Sequence, residues 1–119
     1  MGLSEIIEDI TDGDIENVYD TIRGNKSHEQ GIAILEKTKA AMYTFRSQFL
    51  ASNDDPSLHR TFVSLYKKLE DQVFVLERYI RLKKDNISFM PEGDAMKTMS
   101  NIHLLINSLK SFGRDFDGR

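Results

Sequence analysis

The residues of this chain that could bind a metal ion are three histidines and a group of aspartates near its start. The histidines are His28, His59 and His103, and none has a partner histidine at the i, i+4 spacing of a helical zinc site. A helix-loop-helix calcium loop counted from Asp9 needs glycine at its sixth position and glutamate at its twelfth, and aspartate stands at both. The sequence therefore predicts no metal site.

Catalytic and nucleotide-binding motifs are also missing from the sequence. It contains neither GxxxxGK[ST] nor GxGxxG, and none of its serines lies in a nucleophile elbow. It contains no cysteine, which excludes disulfides, thiolate metal sites and cysteine catalysis. We therefore expect a protein that is not an enzyme and needs no cofactor.

One cluster of basic residues could contact phosphate groups. Its members are Arg78, Arg81, Lys83 and Lys84. The functional interpretation is a nucleic-acid-binding patch. The alternative is a solvated face that suits the negative end of a helix dipole, and Glu77 and Asp85 dilute the positive charge. The formal net charge of −3 is also unlike that of a typical nucleic-acid-binding domain, so both interpretations stay open.

The strongest local pattern is a helical hairpin over residues 27–87. Ser27 followed three residues later by Gln30 has the spacing of a capping box and predicts a helix start. Asn53, Asp54 and Asp55 predict a turn, because their short side chains bond to the nearby backbone. Asp55 is a suitable N-cap for the second arm, with Pro56 at its first helical position.

Both predicted arms carry apolar residues at helical spacing, some of them seven residues apart. Two antiparallel helices cannot enclose a core between them, so this surface must face other helices of the chain or other copies. The predicted core or oligomer interface consists of Leu35, Met42, Phe45, Phe49, Phe62, Leu65, Leu69, Val73, Leu76 and Ile80. We also expect Phe45, Phe49, Phe62 and Tyr66 to pack together at the turn end.

Shorter elements flank the hairpin. The segment 1–26 is acidic and predicts two short helices, over residues 4–10 and 15–22, with the second closed by Gly24. The segment 88–119 predicts a turn and then a helix capped by Asp94 and ended by Gly113, with a frayed tail over 114–119. The predicted fold is all-α: a long antiparallel helical hairpin with short N-terminal helices and a C-terminal helix.

No apolar run approaches the roughly 20 residues that a membrane-spanning helix needs. The first residues lack the charged and apolar regions of a signal peptide. We therefore expect a cytoplasmic protein without a membrane partner.

Three segments, in the same order, resemble the small terminase subunit of large contractile-tailed phages. The first contains Gly2, Leu3, Ile7, Asp9, Ile10 and Asp12, followed by Ile15, Glu16, Val18 and Tyr19. The second is the hairpin, with Pro56, Phe62, Leu65, Leu69 and Leu76. The third is Ile87, Phe89 and Met90, followed by a Pro/Gly turn and a short methionine-containing helix.

The resemblance implies helical hairpins that assemble into a ring, recognise viral DNA and regulate the large terminase. The matching positions are architectural, so the resemblance identifies no DNA-contacting residue. We therefore expect a homo-oligomeric regulator of viral DNA packaging, in the host cytoplasm, with double-stranded DNA and the large terminase subunit as partners. The alternative is a small helical adaptor that binds another protein through its hairpin face.

Overall fold

The computed structural model describes residues 2–119, which form five helices and, within that range, no strand. The helices are α1 (Leu3–Glu8), α2 (Asp12–Arg23), α3 (His28–Ser52), α4 (Pro56–Lys84) and α5 (Glu92–Asp117). α4 packs between α3 and α5, and α1 and α2 together close the other side of the bundle against the same two helices. The result is an up-and-down four-helix bundle of 47 × 23 × 18 Å whose first helix is broken. The predicted all-α class is confirmed.

The caps of the hairpin are those that the sequence predicts. The hydroxyl of Ser27 accepts from the backbone N–H of Gln30, and the Gln30 side chain accepts from the backbone N–H of Ser27. The carboxylate of Asp55 accepts from the N–H of Ser57, and Pro56 is the first residue of α4. Gly24 ends α2 with a φ of 87°, a left-handed conformation that glycine adopts without strain.

The break between α1 and α2 is held by a second capping box. Thr11 and Asp14 exchange backbone-to-side-chain hydrogen bonds of 3.0 Å. Asp14 also accepts from Lys37 of α3 at 2.8 Å. Burial raises the pKa of Asp14, but the hydrogen bonds from Lys37 and Thr11 outweigh it, and the net pKa lies below its ordinary value. The carbonyl of Ile10, freed by the break, accepts from Lys110 of α5 at 2.9 Å.

The core lies inside one copy of the chain, and all five helices contribute to it. Of the ten apolar residues predicted for core or interface, nine are buried in the bundle; the tenth, Leu65, is half-buried against it. α1, α2 and α5 therefore cover the inner apolar surface of the hairpin.

The expected aromatic cluster forms at the turn end of the hairpin. Phe62 lies at its centre, with ring centroids 4.5 Å from Phe49 and 5.9 Å from Phe45. Tyr66 joins it at 5.4 Å, and Phe112 of α5 closes it at 5.9 Å from Phe62.

The predicted limits of the last helix were wrong. α5 begins at Glu92 with Pro91 as its N-cap, so Asp94 lies in the first turn instead of capping it. Gly113 does not end the helix: it is buried within α5, where an added Cβ would lie 3.0 Å from the backbone nitrogen of Ser4. The tail is not frayed either, because α5 continues to Asp117, whose carboxylate accepts from the backbone N–H groups of Leu3 and Ser4.

No helix of the described part of the chain is long and apolar enough to cross a membrane.

Candidate functional site on the α3–α4 face

An open depression of about 780 Å³ lies between α3 and α4 on the outside of the bundle. Buried Met42 and Val73 form part of its lining. Tyr43 and Phe74 also line it, and they expose 64% and 65% of their surface. Two large aromatic side chains that remain this exposed above an apolar floor are typical of a binding surface.

A second depression, of about 380 Å³, continues the first towards the α3–α4 turn. Leu50 and Val63 line it and are exposed, and half-buried Tyr66 lines both depressions. We call the continuous surface formed by Tyr43, Leu50, Val63, Tyr66 and Phe74 the hairpin groove. Leu50 and Val63 face each other near the turn, whereas Tyr43 and Phe74 lie farther along the helices.

A network of ion pairs closes the groove at its end farther from the α3–α4 turn. Lys39 lies 3.2 Å from Glu36 and 2.7 Å from Glu77, and Arg81 lies 2.8 Å from Glu36 and 3.2 Å from Glu77. The hydrogen bond to Glu77 raises the pKa of Lys39, and the hydrogen bond from Lys39 lowers the pKa of Glu36. Two acids and two bases compensate each other here, and the network ties α3 to α4.

The middle of the groove carries two charges without such compensation. The Arg46 guanidinium lies 5.8 Å from the centre of the Tyr66 ring, at the distance of a cation–π contact. Glu70 lies on the α4 side and lines both depressions. Neither Arg46 nor Glu70 forms an ion pair with any residue in the range 2–119. Both charges therefore remain available to a partner.

The predicted basic patch is partly neutralised and does not lie on one side of α4. Arg81 belongs to the ion-pair network. Lys84 lies 2.7 Å from Glu29, and the hydrogen bond that Lys84 donates to this carboxylate raises the pKa of Lys84. Arg78 lies 6.0 Å from the centre of the Phe89 ring. Lys83 lines a small cleft elsewhere at the same end of the bundle. At about 100° per residue, Arg78 and Lys83 point roughly 140° apart around the helix.

The structure does not bring the histidines together into a metal site. Within residues 2–119 there is no group of three or more histidine, aspartate and glutamate side chains that could hold a metal ion. His28 lines the small cleft beside Lys83, and His59 lines the turn end of the hairpin groove. The chemistry that the hairpin groove itself offers is apolar contact flanked by opposite charges, which suits the binding of another helical surface.

The predicted interface does not include the four exposed residues of the groove, which are Tyr43, Leu50, Val63 and Phe74. It follows the apolar side of α3 and α4 that faces the bundle core. A signal for these four residues exists in the sequence. Tyr43 and Leu50 are seven residues apart, and Val63 and Phe74 are eleven apart, so each pair lies on one side of its helix. Each helix therefore has a second apolar stripe, offset from the first and directed to the outside of the bundle.

Comparisons with protein-family models, with curated proteins and with solved structures find no match to this chain.

Proposed function

We propose that this chain is a non-enzymatic, self-associating regulator of viral DNA packaging, similar to a small terminase subunit, that binds double-stranded DNA and modulates a large terminase. The observation that carries the self-association is the hairpin groove. Tyr43 and Phe74 leave about two-thirds of their surface exposed on the outside of a bundle whose core is otherwise complete. Burial of apolar surface of this kind is the main driving force of protein association.

The choice of packaging over other assembly functions rests on the colinear resemblance in sequence. The proposed DNA contact is the end of the bundle that carries Arg78 and Lys83, with Lys84 and Arg81 available once their acidic partners are displaced. Lys and Arg side chains that replace counterions on phosphates supply most of the affinity of non-specific DNA binding. The overall negative charge of the chain predicts weak binding, and the small number of basic residues at this end predicts a modest salt slope.

Fluorescence anisotropy with a labelled DNA duplex, at several salt concentrations, tests this function. The native chain should bind at low salt, and Arg78→Ala with Lys83→Ala should weaken binding and reduce the salt slope by roughly 2. The matched control is Arg60→Ala with Lys68→Ala, which removes two exposed basic residues of α4 nearer the hairpin turn and outside the groove. No binding by the native chain at low salt would contradict the DNA-packaging function.

The second candidate function is a helical adaptor that binds another protein through the same groove. The ion pairs of Arg81 with Glu36 and of Lys84 with Glu29 favour it, because they reduce the positive charge that DNA would meet. An adaptor should form no stable complex with DNA at any salt concentration. It should still associate with a partner helix that presents an apolar face.

A further inference from the structure

We propose that the hairpin groove is an isologous dimer interface, in which a second copy of this chain docks by a two-fold axis that runs along the groove. The inference rests on the self-association in the proposed function and deepens it by assigning one face and one symmetry. An isologous contact uses the same surface on both copies and closes after two. A ring would need a further and different contact between such dimers.

The distribution of exposed apolar residues favours a second copy as the occupant. The described residues expose seven large apolar side chains, and four of them lie on this face: Tyr43, Leu50, Val63 and Phe74. The other three, Ile87, Phe89 and Leu104, lie outside the groove. No large apolar side chain of α1 or α2 is exposed. A head-to-tail contact with the side formed by α1 and α2 would place the groove on polar surface, whereas an isologous contact covers apolar surface with apolar surface.

The register of the hairpin fixes which residues would meet. Within one copy, the contacts of Glu36 with Arg81 and of Arg46 with Tyr66 mark positions at equal height along the antiparallel helices. A two-fold rotation about an axis along the groove leaves every residue at the same height along the bundle. It places α3 of one copy over α4 of the other. Leu50 of one copy then lies over the Val63 region of the other, and Tyr43 over the Phe74 region.

The charges of the groove are complementary under the same rotation. It brings Arg46 of one copy to the height of Tyr66 in the other, where α4 carries Lys67 and Glu70. Lys67 lies 4.0 Å from Asp71, so Glu70 is the charge of that stretch without an ion-pair partner, and the symmetry repeats the contact. Neither Arg46 nor Glu70 has an ion-pair partner of its own within residues 2–119. The dimer would therefore supply each with an opposite charge, which favours this register over one that brings like charges together.

The size of the face also suits a dimer. The 25 residues of α3 extend over about 38 Å at 1.5 Å per residue, and two helices side by side are about 20 Å wide. The face therefore covers on the order of 750 Å², close to the roughly 800 Å² that each partner contributes to a standard interface.

The first experiment measures the dimer dissociation constant by sedimentation velocity. Phe74→Glu should raise it by at least about 30-fold, because a charge would replace an aromatic side chain at the centre of the face. Leu104→Glu is the matched control, since Leu104 on α5 is 66% exposed but lies outside the groove. It should leave the dissociation constant unchanged. Equal weakening by both variants, or a monomeric native chain, would overturn the proposed interface.

The second experiment tests the register by charge reversal. Arg46→Glu and Glu70→Arg should each weaken the dimer, and the double variant should restore it, while circular dichroism shows all three to be folded. Failure of the double variant to restore the dimer would overturn the symmetry. A dimer that binds no DNA would keep this interface and refute the packaging function. DNA binding by a chain whose mass in solution is unchanged by Phe74→Glu would support the packaging function and refute this interface.

Discussion

The carboxylate of Asp117 in the last turn of α5 accepts a 2.8 Å hydrogen bond from the backbone N–H of Leu3 in the first turn of α1. It also accepts from the backbone N–H and the hydroxyl of Ser4, at 3.0 and 2.8 Å. Gly2 at the N-cap position of α1 has no side chain with which to cap the helix. Asp117 therefore caps α1 from another helix and ties the two ends of the sequence together.

Asp117→Asn should destabilise the bundle by about 0.5–1.5 kcal/mol, because the amide keeps one acceptor oxygen, replaces the other with a donor and removes the negative charge at the N-terminus of α1. Burial raises the pKa of Asp117, but the hydrogen bonds from Ser4 and Leu3 outweigh it, so the net pKa lies below the ordinary value of 3.8. A carboxylate with a lowered pKa stabilises the fold above its unfolded pKa and loses this effect as the pH falls through its folded pKa.

The difference in stability between the native chain and Asp117→Asn should therefore be constant near neutral pH and shrink below about pH 4. Urea denaturation at several pH values measures it. Asp115→Asn is the control, because Asp115 is exposed on the same turn of α5. A difference that is independent of pH down to full acid unfolding would contradict the role of the carboxylate charge.

A glycine pair tests the packing of α5 on α1. Gly113→Ala should destabilise the protein, because the new Cβ would lie 3.0 Å from the nitrogen of Ser4 and 3.1 Å from the ring of Phe45. The expected loss is about 1–3 kcal/mol for overpacking, reduced by up to about 1 kcal/mol of helix propensity. Gly93→Ala in the first turn of α5, where nothing lies within 4 Å, should instead be neutral or stabilising. Thermal melts compare the two, and equal effects would show that Ser4 does not pack on Gly113.

A pair of leucines compares the core with an exposed position outside the groove. Leu69 is fully buried in the bundle, so Leu69→Ala should lower the free energy of unfolding by about 2–5 kcal/mol through the cavity that it leaves. Leu104→Ala, at an exposed position, should change it by less than about 0.5 kcal/mol. Chemical denaturation at one protein concentration measures both. If Leu69→Ala dissociated an oligomer without loss of monomer stability, the assignment of Leu69 to the monomer core would be wrong.

Removal of acidic partners should strengthen DNA binding if the basic end of α4 contacts phosphate. Glu29→Gln with Glu36→Gln frees Lys84 and Arg81 from their cross-helix ion pairs and removes two negative charges. The affinity for a DNA duplex at low salt should rise, and its salt dependence should steepen. The matched control is Glu5→Gln with Asp54→Asn, which removes the same charge at the other end of the bundle. A similar gain in DNA affinity from the control would show that the effect comes from net charge alone and would contradict a contact at the basic end of α4.

The sequence predicts the hairpin well because its ends are determined by local chemistry. The capping box of Ser27 and Gln30 and the pair Asp55–Pro56 act within a few residues, so they can be identified without the fold. The end of α5 could not be found in this way. Glycine commonly follows the end of a helix, so Gly113 by itself indicates an end there. In the structure Gly113 lies inside α5, and the close approach of the Ser4 backbone, more than 100 residues away in sequence, explains why a glycine stands at this position.

The candidate site was predicted less well for a related reason. Periodicity identifies apolar stripes, but only the positions of α1, α2 and α5 decide which stripe they cover. They cover the one that contains Leu69 and leave Phe74 exposed. The basic patch is a similar case, because the partners of Arg81 and Lys84 lie on α3, far away in sequence.

The mass of the native chain in solution, measured by light scattering as a function of concentration, tests the central claim of self-association most directly. The account predicts a mass that rises above the 13.7 kDa of one chain and reaches at least twice that value by about 100 µM, in the affinity range of transient assemblies. A mass that stays at 13.7 kDa over the whole range would contradict it.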